Sequence, residues 1–355
     1  MTPAQRVYAV LRGEIPDQVP FTVYEYLMDG FPFEQSLREQ GACVVHRVSS
    51  ARITYPNVQE FSETVYVDGR KHIRTVRRTP YGDLTTLTEP AGLTSWTREH
   101  MFKTPDDYKK MAFLFSDMQV TSRYEELAEQ VALDRAEQDV IFRDDIGLEP
   151  LQKIIDCMGT LEFCYEWMDN RDEILKLYSI LRDKARLVYP IIAASPFRFS
   201  NYGGNVTPEI IGRDVFAEYY MPVYEEAAEV FRKYAALSKS EKKLGVHFDA
   251  DNTTIMDLIG QTPLDYIEAY DISMSPDVAT AMGQWPDKIL WLNWPSGWQC
   301  HSREGIIQDT KDILDQAKDR SRFIIGITED IPADIHERNL RAILQSIQQY
   351  GQNER

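Results

Sequence analysis

The strongest constraint on this chain lies in its C-terminal third. Four short apolar runs, KLGVHFDAD (243–251), LDYIEAYD (264–271), KILWLNWP (288–295) and RFIIGITED (322–330), alternate with the helical patterns TTIMDLIGQ (253–261), SPDVATAMG (275–283) and REGIIQDTKDILDQAKD (303–319). Near-continuous apolar runs mark strands buried on both faces, and strand–helix alternation of this kind builds a parallel sheet. Upstream, VIFRD (140–144) and FRFSNYGGN (197–205) read as further strands, with helices over roughly 149–193 and from Pro208 to about Leu237. That many units favour a closed barrel over an open doubly wound sheet. No G-x-G-x-x-G follows a strand and no G-x-x-x-x-G-K-[ST] occurs, so neither dinucleotide nor P-loop chemistry is suggested. The expected fold class is α/β, a (β/α)8 TIM barrel.

The N-terminal part reads differently. Pro3 to Arg12 has the pattern of a short amphipathic helix stopped by Gly13 and Pro16, and Val19 to Tyr26 follows as a first buried strand. Phe61 to Glu89 alternates polar with β-branched or aromatic residues around Asp68-Gly69 and Tyr81-Gly82. That pattern is antiparallel ribbon, placed here as an insertion near the barrel entrance. Helices are expected over Thr104–Met111 and roughly Ser122–Gln138. With no repeat or linker to divide it, the chain is read as one barrel domain over 1–355, carrying an N-terminal helical and ribbon elaboration with the insertion at about 61–89.

Charge narrows the partners. Against 39 Lys and Arg stand 56 Asp and Glu, a formal net charge of −17, which argues against nucleic acid and against anionic membrane surfaces. Cys43, Cys157, Cys164 and Cys300 are too few and too scattered for a disulfide framework. The N-terminus lacks the apolar stretch of a signal peptide, and no run approaches the roughly 20 apolar residues of a membrane span. A reducing cytoplasm is the expected location.

In a TIM barrel the active site lies at the carboxyl ends of the strands. The four late runs end there on polar side chains: His247 and Asp249, then Glu268, then Asn293, then Glu329 with Asp330. His247 and Asp249 are two residues apart and share one side of their strand. Together these residues form a set of imidazole and carboxylates, the ligand types zinc accepts. Each has an ordinary reading when taken alone. Asp249 or Asp251 is placed to cap a helix at Thr253, Glu329 and Asp330 to meet the N-terminus of the helix after Pro332, and His247 to be a satisfied core histidine. Four strands ending this way in succession is what points to an active site. His46, His72, His100 and His336 fall in contexts without evident ligand partners, and Cys300-His301 reads as a turn with a half-buried Cys. Trp285, Trp291, Trp294 and Trp298 crowd one strand and loop, mostly as packing, with a ring or two at the mouth suiting an aromatic substrate.

The order of several segments carries a resemblance. It runs from RVYAVLRGEIPDQVP (6–20) through RRTPYGDL (77–84), FKTPDDYKKM (102–111), GTLEFCYEWMDNRDEILKLY (159–178) and FAEYYMPVYEEAAEVFRKYA (216–235). It continues with VHFDAD (246–251), DYIEAYDISMSPDVATAMGQWPDKILWLNWP (265–295) and IIGITEDIP (324–332). Taken together, the chain resembles the uroporphyrinogen decarboxylase superfamily, in particular its corrinoid-dependent methyltransferase branch. The resemblance implies a (β/α)8 barrel and a zinc ion that activates a methyl donor or acceptor opposite a separate corrinoid (cobalamin) protein. Branch members acting on thiols carry His-x-Cys where this chain has His247-Phe248-Asp249, and a late Cys where it has Thr328-Glu329. Both thiolate positions are therefore oxygen ligands here or not ligands at all. That departure puts thiol substrates in doubt and fits better the members resembling aryl-ether O-demethylases. The true decarboxylase is disfavoured, since its Arg-rich N-terminal signature and Pro-Trp-Thr segment are absent.

On this resemblance the expected enzyme moves a methyl group from a small methoxyarene to a Co(I) corrinoid protein. Zinc would be held by His247, Glu268 and Glu329, with Asp249 as a fourth ligand or as an orienting neighbour of His247. His247, Asp249 and Glu329 are the expected catalytic residues. Tyr24, Tyr202, Asn205, Asn293 and Trp294 are the candidates for contacting substrate, placed by their nearness to strand ends. Two alternatives stand beside this: transfer from a methyl-corrinoid to tetrahydrofolate or a thiol, and a non-catalytic corrinoid- or metal-binding accessory protein.

Overall fold

The structure, a computed structural model, describes residues 1–238 and 242–353. In chain order its strands are β1 (Phe21–Tyr24), β2 (Ala42–Val48), β3 (Ala51–Thr54), β4 (Gln59–Val67), β5 (Arg70–Thr79), β6 (Gly82–Ala91) and β7 (Thr94–Glu99). They continue as β8 (Gln119–Ser122), β9 (Val140–Gly147), β10 (Phe199–Tyr202), β11 (Lys243–His247), β12 (Tyr266–Tyr270), β13 (Ile289–Asn293) and β14 (Phe323–Ile327). The residues form two compact units. One comprises Met1–Ser50, Tyr124–Gly147 and Ala193–Arg355; the other comprises Ala51–Arg123 and Leu148–Ile192.

The first unit is a closed barrel of eight strands in the order β1-β14-β13-β12-β11-β10-β9-β2. Every neighbouring pair is parallel. Crossover helices such as Met221–Ser238, Val278–Gln284 and Arg303–Gln316 connect the strands, as parallel pairing demands, and the helix His336–Tyr350 follows the last strand. The α/β barrel expected from the alternation is the fold observed.

Side chains fill the barrel in layers. Rings from non-neighbouring strands meet only inside it: Phe199 of β10 lies 6.2 Å from Tyr266 of β12 and 5.8 Å from Trp291 of β13, centroid to centroid. This aromatic layer needs room, and glycines supply it. A Cβ on Gly245 of β11 would overlap the Tyr266 ring, and one on Gly326 of β14 would stand 3.0 Å from the Trp291 indole nitrogen. That nitrogen donates to Thr22 of β1 at 2.9 Å, closing the layer across the interior. Two residues further along, parity brings Tyr24, Asn201, Glu268 and Asn293 inward, one level nearer the carboxyl ends. The site is built on that level.

The second unit holds the antiparallel sheet β4-β5-β6-β7, the β3–β8 pair, and the helices Pro150–Met158, Thr160–Asp169 and Arg171–Ala194, the last of which ends beyond the unit. The ribbon expected at 61–89 is present and longer, because β7 adds a fourth strand that reaches Glu99. Tight turns sit where Asp68-Gly69 and Tyr81-Gly82 predicted them, and Asp68 adopts a φ of 49°. The early helices shift. Thr104–Met111 becomes Asp107–Asp117, since Asp107 instead accepts from the backbone of Lys103 and Thr104. Ser122–Gln138 resolves into a 3-10 turn, Tyr124–Leu127, and a helix, Ala128–Ala136.

Candidate functional site

His247 closes β11 with its ring directed to the barrel axis, and its two nitrogens face different surroundings. Nε2 lies 3.7 Å from Asp249 Oδ2 and 3.5 Å from Glu329 Oε1. One ligand atom from each of His247, Asp249 and Glu329 lies within 4.8 Å of the others. Nδ1 lies 3.6 Å from Glu268 Oε2 and 3.4 Å from the Tyr24 hydroxyl. The structure thus brings Asp249 together with His247 and Glu329, and sets Glu268, expected as a ligand beside Glu329, on the opposite side of the ring.

Local sequence explains the division. Asp251, not Asp249, accepts from the backbone of Thr253 at 2.9 Å, which leaves Asp249 turned to His247. Glu329 follows β14 on a loop and keeps 39% of its side chain exposed, while Glu268 sits inside β12 at 0%. Asp330, next in the chain, is exposed.

Glu268 is buried yet charged because donors converge on it. Its Oε2 accepts from the Arg143 guanidinium and from Asn201 Nδ2, the latter at 2.7 Å. Burial pushes the Glu268 carboxyl up, but the Arg143 charge and hydrogen bonding from His247 outweigh it and hold the group below the ordinary range. Arg143 also donates through Nη1 to the Tyr24 hydroxyl at 2.5 Å and through Nε to Asp145 at 2.9 Å. Burial alone would pull the His247 imidazolium down; hydrogen bonding with Asp249, Glu268 and Glu329 reverses this and raises it well above its usual value. An imidazole ringed by carboxylates attracts cations, whether protons or metal ions.

The other sequence candidates lie apart. Asn293 is buried and joins loops: it accepts from the Thr328 backbone at 3.0 Å and donates to Ser296 at 3.0 Å. Trp294 points outward, its indole donating to Thr310 of the helix Arg303–Gln316 at 2.9 Å. Tyr202 also points outward, edge-on to Tyr224 of the helix Met221–Ser238. Asn205 is exposed on the loop after β10. Trp285, Trp291 and Trp294 are fully buried, Trp291 in the aromatic layer, so these three rings do not line a mouth. The aromatic side chain beside the site that is not fully buried is Tyr26, which donates to the Thr328 carbonyl at 2.8 Å; Tyr24 is buried, with the Arg47 guanidinium 4.5 Å from its ring centre. Cys300 is exposed where a half-buried thiol was expected. His46 and His72 do have acidic neighbours, Asp29 at 3.5 Å and Glu89 at 3.7 Å, and His301 meets Asp309 at 2.7 Å.

Arg143 and Asn201 are the residues that sequence reasoning missed. The signal was present: both share the inward parity of buried parallel strands, where a charge or amide needs a partner from across the barrel.

No protein-family model matches the sequence, and no curated protein matches it significantly. Among solved structures, a methyltransferase from Methanosarcina mazei aligns with a TM-score of 0.59 at 13% identity, over 99% of each chain. A putative vitamin-B12 independent methionine synthase from Listeria monocytogenes aligns at 0.34 and 10% identity, over 70% of each chain. The β-methylaspartase of Clostridium tetanomorphum aligns at 0.32 and 10% identity, over 86% of this chain and 98% of that one. The last two likenesses are too slight to bear on this chain. The first, at so low an identity, establishes that the eight-stranded parallel barrel of this chain is shared with a methyltransferase over its whole length.

Proposed function

We propose that this protein is a zinc-dependent methyltransferase that moves a methyl group from a small methoxyarene to the Co(I) corrinoid of a partner protein. The observation that carries the reading is the triad of His247, Asp249 and Glu329 at the carboxyl end of a methyltransferase-type barrel. Its fit to zinc is geometric. Tetrahedral bonds of about 2.0–2.2 Å place ligand atoms about 3.3–3.6 Å apart. The separations of 3.5 and 3.7 Å from His247 Nε2 are close to that already. Two carboxylates balance a divalent charge, and three protein ligands leave a fourth position for substrate, the mark of a catalytic site.

Zinc, when bound, supplies Lewis acidity that polarises the ether oxygen and stabilises the leaving phenolate. The methyl carbon–oxygen bond breaks with its electron pair remaining on oxygen. A partner's Co(I) corrinoid would take up the methyl group with its own electron pair, which balances the transfer without an outside oxidant or reductant. The chain's own part is to hold and orient. Glu329, on its half-exposed loop, borders the open side, and the partly exposed Tyr26 ring offers an apolar face for an arene. Oxygen ligands at Asp249 and Glu329 favour an ether over a thiol as the partner of the ion.

The test adds methoxyphenols to the enzyme with its Co(I) corrinoid protein and follows the corrinoid absorbance. Methylated corrinoid and free phenol are expected, and Glu329→Gln should lose most of the turnover while its circular dichroism is unchanged. Absence of methylated corrinoid across the panel, with ready discharge of a methylated corrinoid onto tetrahydrofolate, would reverse the direction of transfer.

A further inference from the structure

The buried layer beneath His247 is costly for a barrel core to keep. Arg143 is 3% exposed and Glu268 is 0% exposed. Replacing such a pair with apolar side chains is often neutral or stabilising. Two further features add to the cost. Glu268 Oε1 and Asn201 Oδ1 are buried with no hydrogen-bond partner among the described residues. Ala269, next after Glu268, has a φ of 62°, and the pairing of β12 with β13 shifts register between Glu268 and Tyr270. Strain and bulges of this kind collect where a side chain must be aimed.

Glu268 Oε2 lies 3.6 Å from Nδ1 of His247, and the Tyr24 hydroxyl lies 3.4 Å from the same nitrogen. An imidazole bound to a metal ion through Nε2 carries one proton, on Nδ1, and the neighbours decide how well that form is held. Asp249 and Glu329 draw it to Nε2, which would close that nitrogen to a metal ion. Glu268, acceptor-only when ionised, draws it to Nδ1 and leaves the Nε2 lone pair free. Arg143 decides this contest from one layer below, because it pins Glu268 Oε2 and holds the Tyr24 hydroxyl in place.

We infer that Arg143 is a positioning residue that, through Glu268, keeps the His247 proton on Nδ1 and so sets the metal affinity of a site it does not touch. The inference rests on the reading of the triad as a metal site. It differs in sign from a charge effect. Removing a cation near a metal site should tighten metal binding by simple electrostatics, whereas losing the Glu268 anchor should weaken it.

The experiment measures zinc affinity by competition with a chromogenic chelator for wild type, Glu268→Gln, Arg143→Gln and Arg143→Lys, with thermal melts as the folding control. Glu268→Gln and Arg143→Gln should weaken zinc binding by about 10–100-fold, the usual effect of removing such an outer partner. Arg143→Lys should recover part of the loss, since it restores the charge but not the fork. If Arg143→Gln does not fold, Arg143→Lys decides the matter: it keeps the cation, so zinc binding weaker than wild type there reports the lost fork and not a change of charge. Variants that bind zinc as tightly as wild type, or tighter, overturn the inference while leaving the metal site standing. A wild type that binds no zinc overturns the metal-site reading and this inference with it.

Discussion

Asp249 and Glu268 are both carboxylates near His247, and each meets a different ring nitrogen. Surroundings also separate the cysteines. Burial pushes the Cys157 thiol up from 9.0 to about 11, with Lys153 opposing it only in part, and burial also raises Cys43 well above its usual value. Cys300 is exposed. Because the thiolate is the reactive form, iodoacetamide at pH 8 should modify Cys300 and spare Cys43 and Cys157 in the native protein. The sign of the pH dependence follows. A pKa raised by folding means the native state keeps a proton that the unfolded state loses. The Cys157 contribution is therefore complete below pH 9 and falls away as pH rises through about 11. Mass spectrometry of peptides labelled before and after denaturation is the measurement. Native labelling of Cys157 at the rate of Cys300 would contradict its burial.

At the scale of the element, β12 carries the most tension between propensity and position. Ala269 is fully buried in a strand, where a β-branched residue would ordinarily be welcome. Its positive φ forbids that. Ala269→Val should lower stability by about 1–3 kcal/mol in urea denaturation, since a branched Cβ resists this backbone region. A valine variant as stable as wild type would show that the bulge relaxes without cost. The bulge also marks a limit of what the sequence reveals. Apolar runs and their spacing locate all four late strands, with starts at 243, 264, 288 and 322 against 243, 266, 289 and 323, because burial on both faces leaves no other pattern. Their ends come earlier than the runs suggest. Spacing puts His247 and Asp249 on one side of their strand and Glu268 at the end of the next, but it is silent on which ring nitrogen each carboxylate meets, which depends on the bulge and on the loops after β11 and β14. Asn205 and Trp294 were placed by closeness to strand ends alone, and one residue of parity or one loop residue was enough to turn them away. The early helices slipped because Asp107 makes side-chain hydrogen bonds that periodicity does not register.

Across the whole molecule, the candidate site lies at one end of the first unit's barrel, above an aromatic layer that fills the interior. Among the described residues no helix is long and apolar enough to cross a membrane. The net charge of −17 is a surface property that the fold tolerates, and two of those acidic groups, Asp249 and Glu329, converge on His247. Everything proposed for function depends on that convergence holding a metal ion. Elemental analysis of the purified protein after mild dialysis tests it most directly, comparing wild type with His247→Ala and with Cys300→Ser. The account predicts about one zinc per chain in wild type and in Cys300→Ser, and little or none in His247→Ala. Equal metal in all three proteins, or none in wild type even after incubation with zinc, would contradict it.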